Sequence, residues 1–547
     1  MEVAYRYAKT SQIGSTSKQT DMSFAPDLSR SPTFFVGEVK DKRRFREAIS
    51  CLHDVVISDM RFQPKNREEY ERWLADEEPR LLAEFASQSE KVNAELAAVN
   101  AELNAMSKEA HAVMAPYYHA QQQYFKYLYK HDIDAWYVLD PVITIHPDQV
   151  FFECFSEDES SYGKLTCHYD VFEHISDKAY GTTNIDYSTG LYHEFQKIRD
   201  YRTTRLKIDP EGFNIQTSGA AAYDEKKIDL PDSWVRGFLQ VSSAMTLPMV
   251  TLRLQPMDIH NLCAQLKRRK ERVGPRAMRF ELEPGRPVRV VMEPWNEVLQ
   301  FDRSIYQGDT ARTIRVWGRR RLLILERLLP VANYFDVHLM GDGLPSFYIA
   351  NMGNLSFTLG LSGWSANDWS KAGNFDLLAP REQVDQSTAQ TVYNALSAQH
   401  VESAQRLATR LHLDISTVKS ALAQYSQLGL VLYDMEGDVY RLRQLYNTPI
   451  DLETVRFNNE REKKAARFVQ ANLVTVSHCE TNENGTALSG SVLDNARAHQ
   501  VSLTIDKDQR LTQGQCECHF WHQNKLRLGP CEHMLSLRLH VAEAAFK

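Results

Sequence analysis

The chain has 547 residues, of which 43% are hydrophobic, 25% charged and 10% aromatic. That length exceeds what one core supports and implies about three or four domains. A net charge of −7 argues against a general polyanion binder, although a basic face can sit inside such an average. There is no apolar run long enough to span a bilayer and no apolar leader in "MEVAYRYAKTSQIGSTSKQT", so the expectation is a cytoplasmic chain without a membrane segment.

Residues 1–30, rich in Ser, Thr, Gln and Lys, read as a flexible N-terminal arm. Residues 31–135 read as a helical region. Within it Leu82, Phe85, Ser89, Val92, Leu96, Val99, Leu103, Met106, Ala110 and Val113 recur at alternating steps of three and four. This a/d ladder predicts a long coiled-coil-type helix over 79–115, with Pro79 in its first turn and Pro116 at its exit. Two pairings fit it: a hairpin with the aromatic stretch "YYHAQQQYFKYLYKHDIDAWYVL", or dimerisation of two chains through the 79–115 helix.

Residues 136–380 are expected to be a mixed α/β middle region. Its segment 253–327 holds 17 Lys or Arg against 9 Asp or Glu. Two basic runs stand out, "KRRKER" and "WGRRR". Lys267, Arg268, Arg269, Lys270, Arg319, Arg320 and Arg321 are therefore candidate phosphate contacts. The alternative is a solvated helix face paired with Glu271 and Glu326. Residues 319–330 read as an amphipathic helix ended by Pro330, followed by strands in "YFDVHLM", "SFYIAN" and "LSFTLGL".

Residues 390–447 follow the order helix, turn, helix, hairpin. Leu407, Ala408 and Leu411 mark one helix; Val418, Leu422, Tyr425 and Leu428 mark the next, and Gly429 stops it. "LVLYDMEGDVYRLR" alternates around a turn. This order resembles the winged-helix family. The resemblance implies that the helix from Ser416 to Leu428 would enter a DNA major groove with Thr417, Lys419, Ser420 and Gln424 exposed. From 395 to 547 the chain carries 17 basic and 17 acidic residues, a balance that weakens the DNA reading.

Residues 450–547 contain "CECHFWHQNKLRLGPCEH". Cys516-x-Cys518 is followed by twelve residues and then Cys531-x-His533. Three thiols and one imidazole meet the requirement of a closed tetrahedral Zn2+ site. An i, i+2 pair on a strand points both sulfurs to one side, and His533 falls in the first turn of a closing helix. Other readings are a reduced cysteine cluster, a Cys516–Cys531 disulfide, or His519 or His522 in place of His533. Cys51, Cys154, Cys167 and Cys263 are scattered, as expected in a reducing compartment.

The Cys-x-Cys-x12-Cys-x-His pattern, with the strand-like "GTALSGSVLDNARAHQVSLTIDKDQRLTQGQCEC" before it, resembles the SWIM-type zinc finger. That resemblance implies a nucleic-acid or protein interaction module. "GRRRLLILERLLP" and "FTLGLSGWSANDWS" extend it to bacterial SWIM proteins found beside MoxR-type ATPases and von Willebrand A-domain proteins, which implies such a protein partner. No phosphate loop, HExxH, GxSxG or GxGxxG motif is present, and His193 and His338 read as structural or surface groups. The combined expectation is an α+β multidomain zinc protein: long coiled-coil-type helix, mixed α/β middle region, winged helix-turn-helix and ββα-like SWIM finger. Its role would be to dock a protein partner, with DNA as a further partner; the alternatives are a nucleic-acid-binding protein acting through the basic middle segment, winged helix and finger, and an enzyme whose active site carries no known motif.

Overall fold

The computed structural model describes residues 4–6, 12–15, 19–24, 33–58, 141–208 (except 177, 185–194, 197 and 202), 226–228, 232–363 (except 271–275 and 342), 369, 384–445 and 460–546 (except 483–484, 496, 507–510 and 527–528). The coiled-coil ladder of 79–115 lies outside the described residues. The largest element is an eight-stranded sheet. Its order is Gly181–Asn184, Val142–Ile145, Gln149–Phe155, Ser161–His168, Leu355–Leu361, Ser346–Asn351, Tyr334–Leu339 and Val250–Leu254. Every neighbouring pair in this sheet is antiparallel.

Both faces of this sheet are covered. Gln149–Phe155 and Leu355–Leu361 are buried at every position. Because side chains alternate along a strand, Cys154, Leu165, Phe357 and Leu359 share one face. This face meets the helix Lys42–Val56: Cys154 Sγ lies 3.7 Å from the Leu52 carbonyl, and a side chain at Gly163 would touch Val55. The helix owes that position to Phe45, Ile49, Leu52, Val55 and Val56, which are all buried. Asp41 caps its start by accepting the Arg44 N–H at 3.1 Å.

The other face carries Glu153, Tyr162, Lys164, Thr166, Ser356 and Thr358, and it too is closed off from water. The helix Asp232–Met245 covers part of it, with Phe238 against Phe155 at 4.8 Å between centroids. Residues 384–445 cover the remainder. They form helices Gln386–Gln399, Ala404–Leu411 and Ile415–Gln427 around a core of Val392, Leu396, Leu407, Val418 and Leu422. A three-stranded sheet follows, with the hairpin Val431–Asp434 and Val439–Leu442.

That hairpin docks through charge. Lys164 Nζ lies 3.0 Å from Asp434, whose second oxygen accepts Arg441 Nε at 2.7 Å. Arg441 also holds both oxygens of Asp148, at 2.9 and 3.0 Å. Arg443 and Glu153 pair at 2.7 Å with side chains 0% exposed, and Arg443 donates to Ser242 at 3.1 Å. His146 Nε2 is 2.6 Å from the Leu442 carbonyl. Burial opposes the charge of Asp434, but Lys164 and Arg441 outweigh it and hold this carboxyl well below the usual carboxylate range.

In the described residues the expected α+β architecture, with a mixed α/β middle, winged helix-turn-helix and ββα-like finger, is overturned. The described chain is organised by antiparallel β-sheets. Its middle adds a second antiparallel sheet of Glu297–Ile305, Pro287–Met292, Met278–Leu282 and Arg312–Val316. The one parallel pair among the described residues joins Thr203–Ile208 to Gln19–Phe24. Crossover helices between parallel strands, which a mixed α/β region requires, are therefore missing there. The hairpin after Ile415–Gln427 is no free wing, because its charges are spent on the central sheet. Arg319–Leu328 is a 3-10 helix. The C-terminal unit is a four-stranded meander, Val474–Asn482, Gly485–Asp494, Arg497–Asp506 and Leu511–Cys516, followed by helices His519–Asn524 and Glu532–Phe546. Within residues 1–30, Gln12–Ser15 and Gln19–Phe24 are paired strands. Among the described residues no helix is long and apolar enough to cross a membrane.

Arg443→Met leaves Glu153 as a buried, unpaired charge. Chemical denaturation is expected to show a loss of about 3–5 kcal/mol, with proteolysis shifting into 384–445. A second expectation concerns pH. Burial first, and then Arg441, lowers the His146 pKa from 6.5 to about 4. A depressed histidine contributes its full stabilisation above 6.5 and loses it as pH falls towards 4, a change on the order of 3 kcal/mol. Asp434 adds a separate loss below about pH 4. His146→Gln should flatten the decline between pH 6.5 and 4; an unchanged slope counts against this reading.

Candidate metal centre

Cys516 ends the strand Leu511–Cys516, which pairs with Arg497–Asp506 so that Cys516 lies opposite Val501. Two residues on, Cys518 caps His519–Asn524 and its sulfur accepts the Trp521 N–H at 3.4 Å. The chain then turns through Gly529, whose φ of 84° suits glycine. Cys531 follows, and its carbonyl accepts the Leu535 N–H at 3.1 Å to start Glu532–Phe546. His533 lies in that first turn. Arg461 holds the approach by donating to the Pro530 carbonyl at 2.8 Å while stacking on Phe520.

These elements bring four donor atoms together. One atom from each of Cys516, Cys518, Cys531 and His533 lies within 4.8 Å of all the others, and all four residues are buried. Cys516 Sγ is 3.7 Å from His533 Nδ1. Phe468 and His499 stack on the His533 ring, at 5.5 and 4.5 Å between centroids. His519 and His522 are exposed and stay outside the group. The adjacent Cys516 thiol, followed by burial, pushes the Cys531 thiol up to about 12, and burial also raises Cys518. Without a cation such thiols stay protonated and make only weak contacts, whereas a divalent ion removes their protons. The donor set thus fits a metal ion, and with four protein donors the site is closed in the way structural sites are.

Spacing alone pointed to these four residues. Arg461, Phe468 and His499 escaped the sequence reading because they come from other elements at no characteristic spacing.

The basic candidates do not converge in the same way. Lys267 pairs with Glu326 at 2.5 Å and Arg269 with Glu297 at 2.6 Å. Arg268 and Lys270 are exposed. Arg319 is 1% exposed; its guanidinium donates to the Ala277 and Glu293 carbonyls and lies 5.4 Å from the Trp295 ring centre. Arg320 donates to the Leu266 carbonyl at 3.1 Å, and Arg321, also buried, donates to Ser362 at 3.2 Å. On Ile415–Gln427, Lys419 is exposed, Thr417 half-buried and Ser420 buried, while Gln424 reaches the Val384 carbonyl at 3.5 Å.

Arg319→Met leaves the buried Glu293 carbonyl without its donor, while the Ala277 carbonyl keeps the Glu293 N–H at 3.2 Å. Urea denaturation should register a loss of about 1–3 kcal/mol, the cost of one unsatisfied buried group. Unchanged stability with lost binding to a short DNA duplex would instead make Arg319 a nucleic-acid contact.

No family model matches the chain, and no curated protein does. Solved structures with some likeness include the proliferating cellular nuclear antigen of Entamoeba histolytica, at 10% identity and TM-score 0.31 over 41% of this chain and 89% of that one. A. fulgidus PCNA bound to the C-terminal region of FEN-1 gives 11% and 0.29 over 41% and 89%. The PCNA2–PCNA3 complex of Sulfolobus tokodaii gives 7% and 0.29 over 44% and 94%. Scores this low assign neither fold nor function.

Proposed function

We propose that this chain is an interaction protein whose C-terminal unit, residues 460–546, is held by a structural zinc ion on Cys516, Cys518, Cys531 and His533, in the manner of a SWIM-type finger. One observation carries the reading: four buried donors from a strand end, a helix cap and a second helix start meet within 4.8 Å. Zinc is favoured because a set of three sulfurs and one nitrogen suits a tetrahedral ion without redox chemistry. A docking role follows from what the metal supports. The edge strand Val474–Asn482 is exposed along most of its length, and edge strands and their flanking loops are surfaces that partners use.

By its SWIM-type resemblance the partner is a protein of the class encoded with MoxR-type ATPases and von Willebrand A-domain proteins. DNA is the weaker partner, since Arg319, Arg321 and Ser420 are buried and Lys267 and Arg269 are in ion pairs.

Elemental analysis of the full chain, purified without added metal, should find about one zinc per chain. Cys516→Ser and Cys531→Ser should each lose most of it, and protease should then cut within 460–546. A wild-type chain without zinc, or serine variants that keep both metal and protection, would refute the reading.

A further inference from the structure

The two ring nitrogens of His533 face different chemistry. Nδ1 lies on the side of the thiols, 3.7 Å from Cys516 Sγ. Nε2 is buried with no hydrogen-bond partner among the described residues, and an oxygen of Asp494 stands 3.5 Å from it. Phe468 and His499 both stack on the ring, with interplanar angles of 14° and 25°, which fixes its plane. What stacking leaves open is which nitrogen faces the sulfurs. A neutral imidazole has one N–H, so Nδ1 can offer its lone pair to a metal only when the proton is on Nε2. Asp494 ends the strand Gly485–Asp494, directly across the hairpin from Arg497, and its carboxylate is the acceptor at that position.

We propose that Asp494 is a positioning residue for the metal centre. Its carboxylate accepts the Nε2–H of His533, fixes the tautomer and commits Nδ1 to the ion. The proposal rests on the zinc reading above and extends it by one residue that no Cys or His spacing could reveal. A carboxylate at that nitrogen interacts more strongly once an ion places positive charge on the ring.

The test uses the full chain with Zn2+ and Co2+ as probes. Asp494→Asn is expected to weaken Zn2+ binding, measured by chelator competition, about 10–100-fold. Asp494→Glu should restore most of that affinity. Co2+-loaded Asp494→Asn should keep the thiolate-to-cobalt charge-transfer bands, since the sulfurs are untouched. In the metal-free state, wild type and Asp494→Asn should unfold at the same urea concentration, which separates positioning from a merely structural role. Zn2+ affinity within about twofold of wild type overturns the proposal, as does equal destabilisation of the metal-free and metal-loaded variant. Wild type that takes up no metal overturns this proposal together with the zinc reading; wild type that binds while Asp494→Asn matches it overturns this one alone.

Discussion

Glu153 and Arg443 are 290 residues apart in sequence and 2.7 Å apart in space, with neither side chain exposed. Removing two charges from water costs several kcal/mol each, and only close geometry with further hydrogen bonds offsets it. Here Tyr162 donates to Glu153 and Arg443 donates to Ser242, so the pair is embedded and not isolated. Lys164, Asp434, Arg441 and Asp148 repeat the arrangement nearby. Such contacts do little for net stability compared with an apolar interface. Their value lies in register: a hairpin shifted by one residue would strand several charges at once. The seating of residues 384–445 on the central sheet depends on that penalty.

The C-terminal unit uses a different device. Its separate core of Val474, Leu488, Val492, Val501, Leu503, Met534 and Leu537 is small, and small units are often stapled by metals or disulfides. The closing helix Glu532–Phe546 packs on the meander through Met534 and Leu537, and the four Cys and His donors lie at the same junction. A cation there would join strand, cap and helix at one point. Central sheet and C-terminal unit thus face one problem, holding a distant segment in one place: buried charges do so in one case, and a donor set that could hold an ion lies at the junction in the other.

The grouping of the three cysteines with His533 was legible because soft donors at short spacing leave a local trace in the sequence. The strands in "YFDVHLM", "SFYIAN" and "LSFTLGL" were legible through composition and turns, and they occur as Tyr334–Leu339, Ser346–Asn351 and Leu355–Leu361. The faces were not. Alternation in "LSFTLGL" puts Ser356 and Thr358 where a sequence reader expects water, yet Ser356 donates to Glu436 at 2.5 Å beneath the hairpin. "WGRRR" misled for a related reason. A run of arginines reads as a polyanion surface, but Arg319 and Arg321 turn inward to carbonyl and hydroxyl acceptors supplied by distant strands.

By itself, the sequence pointed to the grouping of Cys516, Cys518, Cys531 and His533, the positions of many strands, and two short helices, Ala404–Leu411 and Ile415–Gln427. These depend on spacing and on side-chain period, which are properties of neighbours along the chain. Tertiary structure alone decided that the two main sheets of the middle region are antiparallel, that the polar sheet face is covered, that two of the arginines are buried, and that Asp494 meets His533. Each of these is a pairing between residues far apart in the chain, and the energy that selects it exists only once both partners have left water together.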